Sequence, residues 1–69
     1  MRDWLKRSRE AKGMTMAEMA QKLDISLGYY SLIESGKRQQ KMNVILLTKI
    51  SSVLELPLTD AVSLEAAEI

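Results

Sequence analysis

The apolar residues of this chain recur three and four positions apart, and strict alternation of apolar and polar residues is nearly absent. This spacing is typical of amphipathic helices, which turn one stripe of side chains toward a core. It predicts an all-α fold made of five helical segments. We expect these segments at about 2–12, 15–23, 26–35, 43–54 and 59–68.

Local signals mark where several of these helices begin and end. Thr15 and Glu18 form a capping box, in which the hydroxyl and the carboxylate each accept a backbone N–H. Ser26 and Asn43 are N-cap residue types at the start of the third and fourth segments. Gly36 is placed to close the third. Five side chains of the fourth segment are expected to face the core: Val44, Leu47, Ile50, Ser51 and Leu54.

Length and composition exclude several classes of protein. A chain of 69 residues has room for one domain, so we expect a single domain over 1–69. The absence of cysteine and histidine excludes disulfides and thiolate metal sites, and it removes the usual general base. No glycine-rich phosphate loop is present. We therefore expect no catalytic residues, no metal, no cofactor and no enzymatic activity.

Neither a membrane helix nor a secretory signal is visible. No apolar run approaches the roughly 18 residues that a membrane-spanning helix needs. Charged residues near the start of the chain interrupt any apolar stretch of a signal peptide. The sequence thus predicts a cytoplasmic protein with no membrane partner.

The small net charge of +1 conceals an uneven distribution. Residues 1–41 hold nine basic and five acidic side chains, a net charge of +4, whereas residues 42–69 hold one and four, a net charge of −3. Such an asymmetry suits a protein that meets a polyanion with one face. Ordinary surface solvation explains the same numbers, so charge alone leaves both interpretations open.

The second and third segments carry the most specific pattern. They are joined by a tight turn at 23–26, and the small residue Ala20 stands where the two helices would cross. Apolar residues at the spacing needed to join both helices and the turn are Met19, Leu23, Ile25, Tyr30 and Ile33. This combination favours a helix-turn-helix at about 15–35 over a generic pair of antiparallel helices.

At this point the sequence resembles the Cro/C1-type (XRE) helix-turn-helix regulators of phages and bacteria, which have lambda-repressor-like DNA-binding domains. The resemblance extends over about residues 5–60 and rests on an ordered set of motifs. These are Arg9-Glu10-Ala11-Lys12-Gly13-Met14-Thr15, Glu18-Met19-Ala20-Gln21-Lys22-Leu23, Ile25-Ser26, Ile33-Glu34-Ser35-Gly36-Lys37-Arg38 and Leu54-Glu55-Leu56-Pro57-Leu58. It implies a five-helix domain, usually dimeric, that binds double-stranded operator DNA and regulates transcription, typically as a repressor.

The resemblance also implies roles for residues on the first two helices. Arg9 and Glu34 match an ion pair that fixes how the first and third helices dock. Thr15 stands at a helix start that grips a DNA phosphate, where free N–H groups and the helix dipole favour an anion. Met16 follows at a position where many members carry glutamine. Because methionine cannot donate to phosphate, an inward-packed Met16 is the alternative.

The positions that face the major groove match Leu27, Gly28, Tyr29, Ser31 and Leu32, and Ser26 at the start of the same helix is a further candidate for DNA binding. Residues 27–34 include no Arg, Lys, Asn or Gln, the side chains that read guanine and adenine through two hydrogen bonds. We therefore expect modest base discrimination and a larger contribution from groove shape. Tyr29 is expected either to contact a phosphate or base, or to lie half-buried along its helix.

Three cations follow the third helix. Lys37, Arg38 and Lys41 are expected to lie over the DNA backbone, where they would add affinity that is independent of base sequence. The loop that carries them is longer than the family's usual connection and lacks its common proline. A solvated loop without a DNA contact is the alternative.

Partners other than DNA are suggested by exposed leucines. Leu27 and Leu32, on the face that normally meets DNA, would instead suit a protein partner in an antitoxin-like or repressor-binding module. A homodimer is expected, because two-fold operators place half-sites about 34 Å apart. The candidates for its interface are Leu56, Leu58, Val62, Leu64 and Ile69, which alternatively close the core.

Overall fold

The computed structural model describes residues 1–39 and 42–67. The helices in this part of the chain are α1 (Asp3–Ala11), α2 (Met16–Leu23), α3 (Leu27–Ser35), α4 (Val44–Leu54) and α5 (Leu58–Ala67). No strand lies within these ranges, and none of these helices is long and apolar enough to cross a bilayer. The predicted all-α architecture of five helices is confirmed.

Capping residues set the starts of three helices. The N–H of Glu18 donates to the Thr15 hydroxyl at 3.1 Å, and the N–H of Thr15 donates to the Glu18 carboxylate at 2.9 Å. Ser26 and Asn43 cap α3 and α4 similarly, each accepting from the backbone N–H three residues on, at 3.1 and 2.7 Å. Asp24 ends α2 with a φ of 60°, which lets the chain turn directly into α3.

The core forms where α2 packs against α3 and α4, while α1 packs against α3 and α5 against α4. Ala20 is buried in α2, the helix that packs against α3. Tyr30 is fully buried in α3, as predicted. The other apolar residues of the core are Trp4, Leu5, Met19, Leu23, Ile33, Leu46, Leu47, Ile50, Leu54 and Ala61.

The inward stripe of α4 differs from the prediction at its first residue. Val44 is 71% exposed, so the expectation that it faces inward is wrong. The buried side chains of this helix are Leu46, Leu47, Ile50, Ser51 and Leu54. At 100° per residue, Val44 lies roughly 90° from the centre of that stripe. Val44 precedes Leu47 by three residues, and this spacing is compatible with a position just inside or just outside the buried face. Only the packing of the helix decides between the two.

Candidate nucleic-acid interface

A buried ion pair joins α1 to the end of α3. The Nε and Nη2 atoms of Arg9 donate to the two carboxylate oxygens of Glu34 at 3.0 and 3.1 Å. Arg9 Nη1 also donates to the Met14 carbonyl oxygen at 2.8 Å, and the Tyr30 hydroxyl donates to Glu34 at 2.7 Å. Both charged side chains are less than one-tenth exposed. This two-pronged contact fixes the orientation of α1 on α3.

The environment of this ion pair keeps Arg9 and the adjacent Tyr30 each in one protonation state. The hydrogen bond to Glu34 raises the pKa of the Arg9 guanidinium, while burial acts in the opposite direction. Burial, followed by the hydrogen bond to Glu34, raises the pKa of the Tyr30 hydroxyl well above its usual value. Arg9 therefore stays charged and Tyr30 stays a hydrogen-bond donor at neutral pH, so Glu34 keeps both partners.

The outer side of α3 is accessible. Gly28 is exposed, and a Cβ added at this position meets no atom within 4 Å. Leu27 is 48% exposed, whereas Ser31 and Leu32 are half-buried. Tyr29 is half-buried and packs against the core. This side of α3 presents a shallow surface with small residues, where another molecule can approach the helix backbone closely.

The first turn of α2 offers donors to an anion. Thr15 is exposed, and the hydrogen bond from its backbone N–H lowers the pKa of the Glu18 carboxylate. The N–H groups of Met16 and Ala17 belong to the first helical turn, whose donors have no acceptor within the helix. The Met16 side chain is partly buried against the core, so its backbone N–H is the group of this residue that remains available as a donor.

A groove of about 250 Å³ lies between α1, the start of α2 and α3. Its lining residues are Met1, Lys6, Arg9, Met16, Ser31, Glu34 and Ser35. Because Arg9 and Glu34 are paired with each other, Lys6 contributes an additional positive charge beside the outer side of α3. Lys6 was not among the predicted site residues, because no local signal in α1 indicates which of its lysines and arginines lies next to α3.

The loop after α3 carries exposed cations. Lys37 and Arg38 are both exposed, and their N–H groups donate to the Leu32 carbonyl oxygen at 2.9 and 3.2 Å. The Gln39 side chain donates to the Tyr29 hydroxyl at 2.8 Å, which holds the half-buried ring along α3. Lys41, the third predicted cation, lies outside the described residues.

A second buried ion pair was not anticipated from the sequence. Arg2 Nη2 lies 2.9 Å from Glu65 Oε2, and both side chains are at least nine-tenths buried. The Trp4 indole N–H donates to the same carboxylate at 2.9 Å. These residues are more than 60 positions apart, so no spacing signal links them.

The residues expected at the protein-partner and dimer surfaces differ in how exposed they are to solvent. Leu56 is partly buried against the core, whereas Leu58 and Val62 are exposed on successive turns of α5. Leu64 is also exposed, and Ile69 lies outside the described residues. On α3, Leu27 is the more exposed of the two leucines proposed for a protein partner.

Comparisons with known proteins agree with this architecture. The family model described as Helix-turn-helix matches residues 5–60. An uncharacterized HTH-type transcriptional regulator of Bacillus subtilis (strain 168), YqaF, is 44% identical over 54 residues, which cover 78% of this chain and 68% of that protein. No solved structure matches the chain significantly.

Proposed function

This chain belongs to the Cro/C1-type helix-turn-helix family of DNA-binding transcriptional regulators, and on that premise we propose that it is a repressor that inserts α3 into the major groove of operator DNA. The proposal rests on the open outer side of α3, which lies between the start of α2 and the exposed cations of the following loop. A repressor of this kind acts in the bacterial cytoplasm.

Contacts to the phosphate backbone would come from both ends of this surface. At one end, the N–H groups of the first turn of α2, with Thr15 and Lys6 beside them, suit a phosphate. At the other end, Lys37 and Arg38 supply affinity through counterion release. These groups position the protein on the duplex without reading its sequence.

Base recognition would use the small and apolar residues between these ends. Leu27 suits the methyl group of a thymine, and the Ser31 hydroxyl suits either a donor or an acceptor on a base edge. Gly28 permits close approach of the helix to the groove. Since residues 27–34 contain no side chain that reads a purine through two hydrogen bonds, groove shape supplies much of the selectivity.

A titration of duplex DNA at two salt concentrations tests the proposal. Affinity should fall steeply with salt, and Lys37→Ala/Arg38→Ala should weaken all duplexes alike and reduce the salt slope by about two units. The matched control is Lys12→Ala/Lys22→Ala, which removes the same charge from two other exposed positions. If both double variants weaken binding equally, the docking is wrong. No binding of the wild type at low salt would favour the protein-partner alternative.

Gly28 provides a second test in which stability and binding change in opposite directions. Because the added Cβ meets nothing and Gly28 lies in the first turn of α3, Gly28→Ala should stabilise the helix by up to about 0.5 kcal/mol, less than in the middle of a helix. A close approach of α3 to DNA would nevertheless make this variant bind more weakly. Chemical unfolding and a duplex titration measure the two effects. Tighter DNA binding by Gly28→Ala would contradict the proposed orientation of α3.

We further propose that the protein works as a homodimer through the Leu58–Val62 side of α5. These two side chains are 39% and 50% exposed and lie four residues apart, so they share one face of the helix. Sedimentation of the wild type should show a dimer that Val62→Glu dissociates, while Ser63→Glu on the neighbouring face leaves it intact. A dimer that survives Val62→Glu would place the interface elsewhere.

A further inference from the structure

Arg2 is a buried arginine that contacts three parts of the fold. Its Nε donates to both carboxylate oxygens of Glu65 at 2.9 and 3.0 Å, which connects the start of α1 to α5. Its Nη1 donates to the carbonyl oxygens of Ile33 at 2.6 Å and Arg38 at 3.2 Å, and its Nη2 donates to that of Gln39. One guanidinium therefore joins α5, the last turn of α3 and the loop that follows α3.

The loop has few other backbone contacts within the described residues. The N–H groups of Lys37 and Arg38 both return to the Leu32 carbonyl oxygen. Gln39 has a φ of 52°, a left-handed conformation that a residue other than glycine keeps only when its surroundings hold it. The Arg38 and Gln39 carbonyl groups lie beyond the end of α3, where helix geometry provides no partner, whereas the Ile33 carbonyl oxygen also accepts from the Gly36 N–H at 3.1 Å. Arg2 thus holds the backbone of the loop, while the Gln39 side chain connects the same loop to the Tyr29 hydroxyl and to Asn43.

Arg2 cannot itself reach a phosphate. It is 5% exposed, and Glu65, which is also buried, neutralises its charge. The Trp4 indole fixes that carboxylate in turn. Any contribution of Arg2 to DNA binding must therefore act through the backbone that it holds.

We propose that Arg2, anchored by Glu65, is a positioning residue for DNA binding, because it holds the loop after α3 so that Lys37 and Arg38 face the DNA backbone. This inference rests on the function proposed above. Lysine at position 2 would keep the charge but not the planar fork of five donors that binds a carboxylate and three carbonyl groups at once. Ordering one loop residue changes an equilibrium constant by roughly tenfold, which sets the scale of the expected effect.

The test compares Arg2→Lys with Arg7→Lys, the same change at an exposed arginine of α1. Duplex affinity is measured at low salt under conditions where unfolding experiments show each variant to be folded. Arg2→Lys should bind roughly tenfold more weakly than the wild type, and Arg7→Lys should bind like it. Both changes are repeated in the Lys37→Ala/Arg38→Ala background, where the effect of Arg2→Lys should disappear.

A pair of glutamate variants separates positioning from net charge. Glu65→Gln and Glu55→Gln each remove one carboxylate, but Glu65 holds Arg2 whereas Glu55 forms an exposed pair with Lys12. Long-range electrostatics predicts tighter DNA binding for both variants. Positioning predicts weaker binding for Glu65→Gln alone.

The outcomes distinguish the inference from the function on which it rests. If the wild type binds DNA and Arg2→Lys binds as well as Arg7→Lys, the positioning role is overturned while the proposed function stands. If Arg2→Lys weakens DNA binding equally in the wild-type and the Lys37→Ala/Arg38→Ala backgrounds, the change loosens the fold in general, and the positioning role is overturned too. A wild type that ignores DNA at low salt removes both the proposed function and this inference.

Discussion

Removal of Arg9 provides the sharpest test of how this small fold is held together. In Arg9→Met, the aliphatic part of the side chain is retained, but the Glu34 carboxylate loses two hydrogen bonds and its counter-charge. The Met14 carbonyl oxygen loses a donor as well. Among the residues that the structure describes, the Tyr30 hydroxyl is the remaining side-chain donor to Glu34. The variant therefore leaves a buried charge largely uncompensated.

The expected cost is large relative to the stability of the chain. Breaking a buried pair by removing one partner costs about 3–5 kcal/mol. At about 0.05–0.15 kcal/mol per residue, a chain of this length has roughly 3–10 kcal/mol to lose. Lys12→Met is the matched control, since it breaks the pair with Glu55, whose side chain is 76% exposed. That change should cost about 0–1 kcal/mol.

Urea unfolding followed by circular dichroism measures both variants, with a stabilising osmolyte added equally to all samples so that Arg9→Met has a folded baseline. The double variant Arg9→Met/Glu34→Leu removes both charges. It should recover part of the loss and remain about 1–3 kcal/mol below the wild type, because the Tyr30 hydroxyl then loses its acceptor and the Met14 carbonyl oxygen still lacks its donor. The reasoning is refuted if Arg9→Met costs no more than Lys12→Met, or if the double variant is no more stable than the single one.

Three further predictions concern stability. The raised pKa of Tyr30 means that its contribution to the free energy of unfolding is present below pH 10 and is lost as the pH rises further, at about 1.4 kcal/mol per pH unit. In urea-unfolding experiments, Tyr30→Phe should flatten this fall in stability, whereas Tyr29→Phe should keep it. Thr15→Ala should cost about 1 kcal/mol in thermal unfolding through loss of the cap, and an equal cost for Thr59→Ala would argue against that cause. Leu54→Ala should cost about 2–5 kcal/mol and exposed Val44→Ala about 0.5 kcal/mol or less, so similar values in chemical unfolding would contradict the observed phase of α4.

The helix starts and core residues that frame the candidate site could be predicted because their signals are local. The capping residues Thr15, Ser26 and Asn43 bond to backbone groups three positions away, so sequence spacing alone specifies the contact. The buried Ala20 and Tyr30 follow from helical period in the same way. Arg9 and Glu34 came from the resemblance to a family, since a separation of 25 residues carries no local signal.

The sequence alone determined the number and type of the helices, because hydrogen bonds within a helix and its caps depend on neighbours three or four residues apart. Tertiary structure alone decided that Val44 points outward, that Lys6 lies beside α3 and that Arg2 meets Glu65. Those outcomes depend on how the faces of separate helices pack and on which buried charges must find partners. A one-dimensional pattern does not contain that information, because the residues involved become neighbours only when the chain has folded.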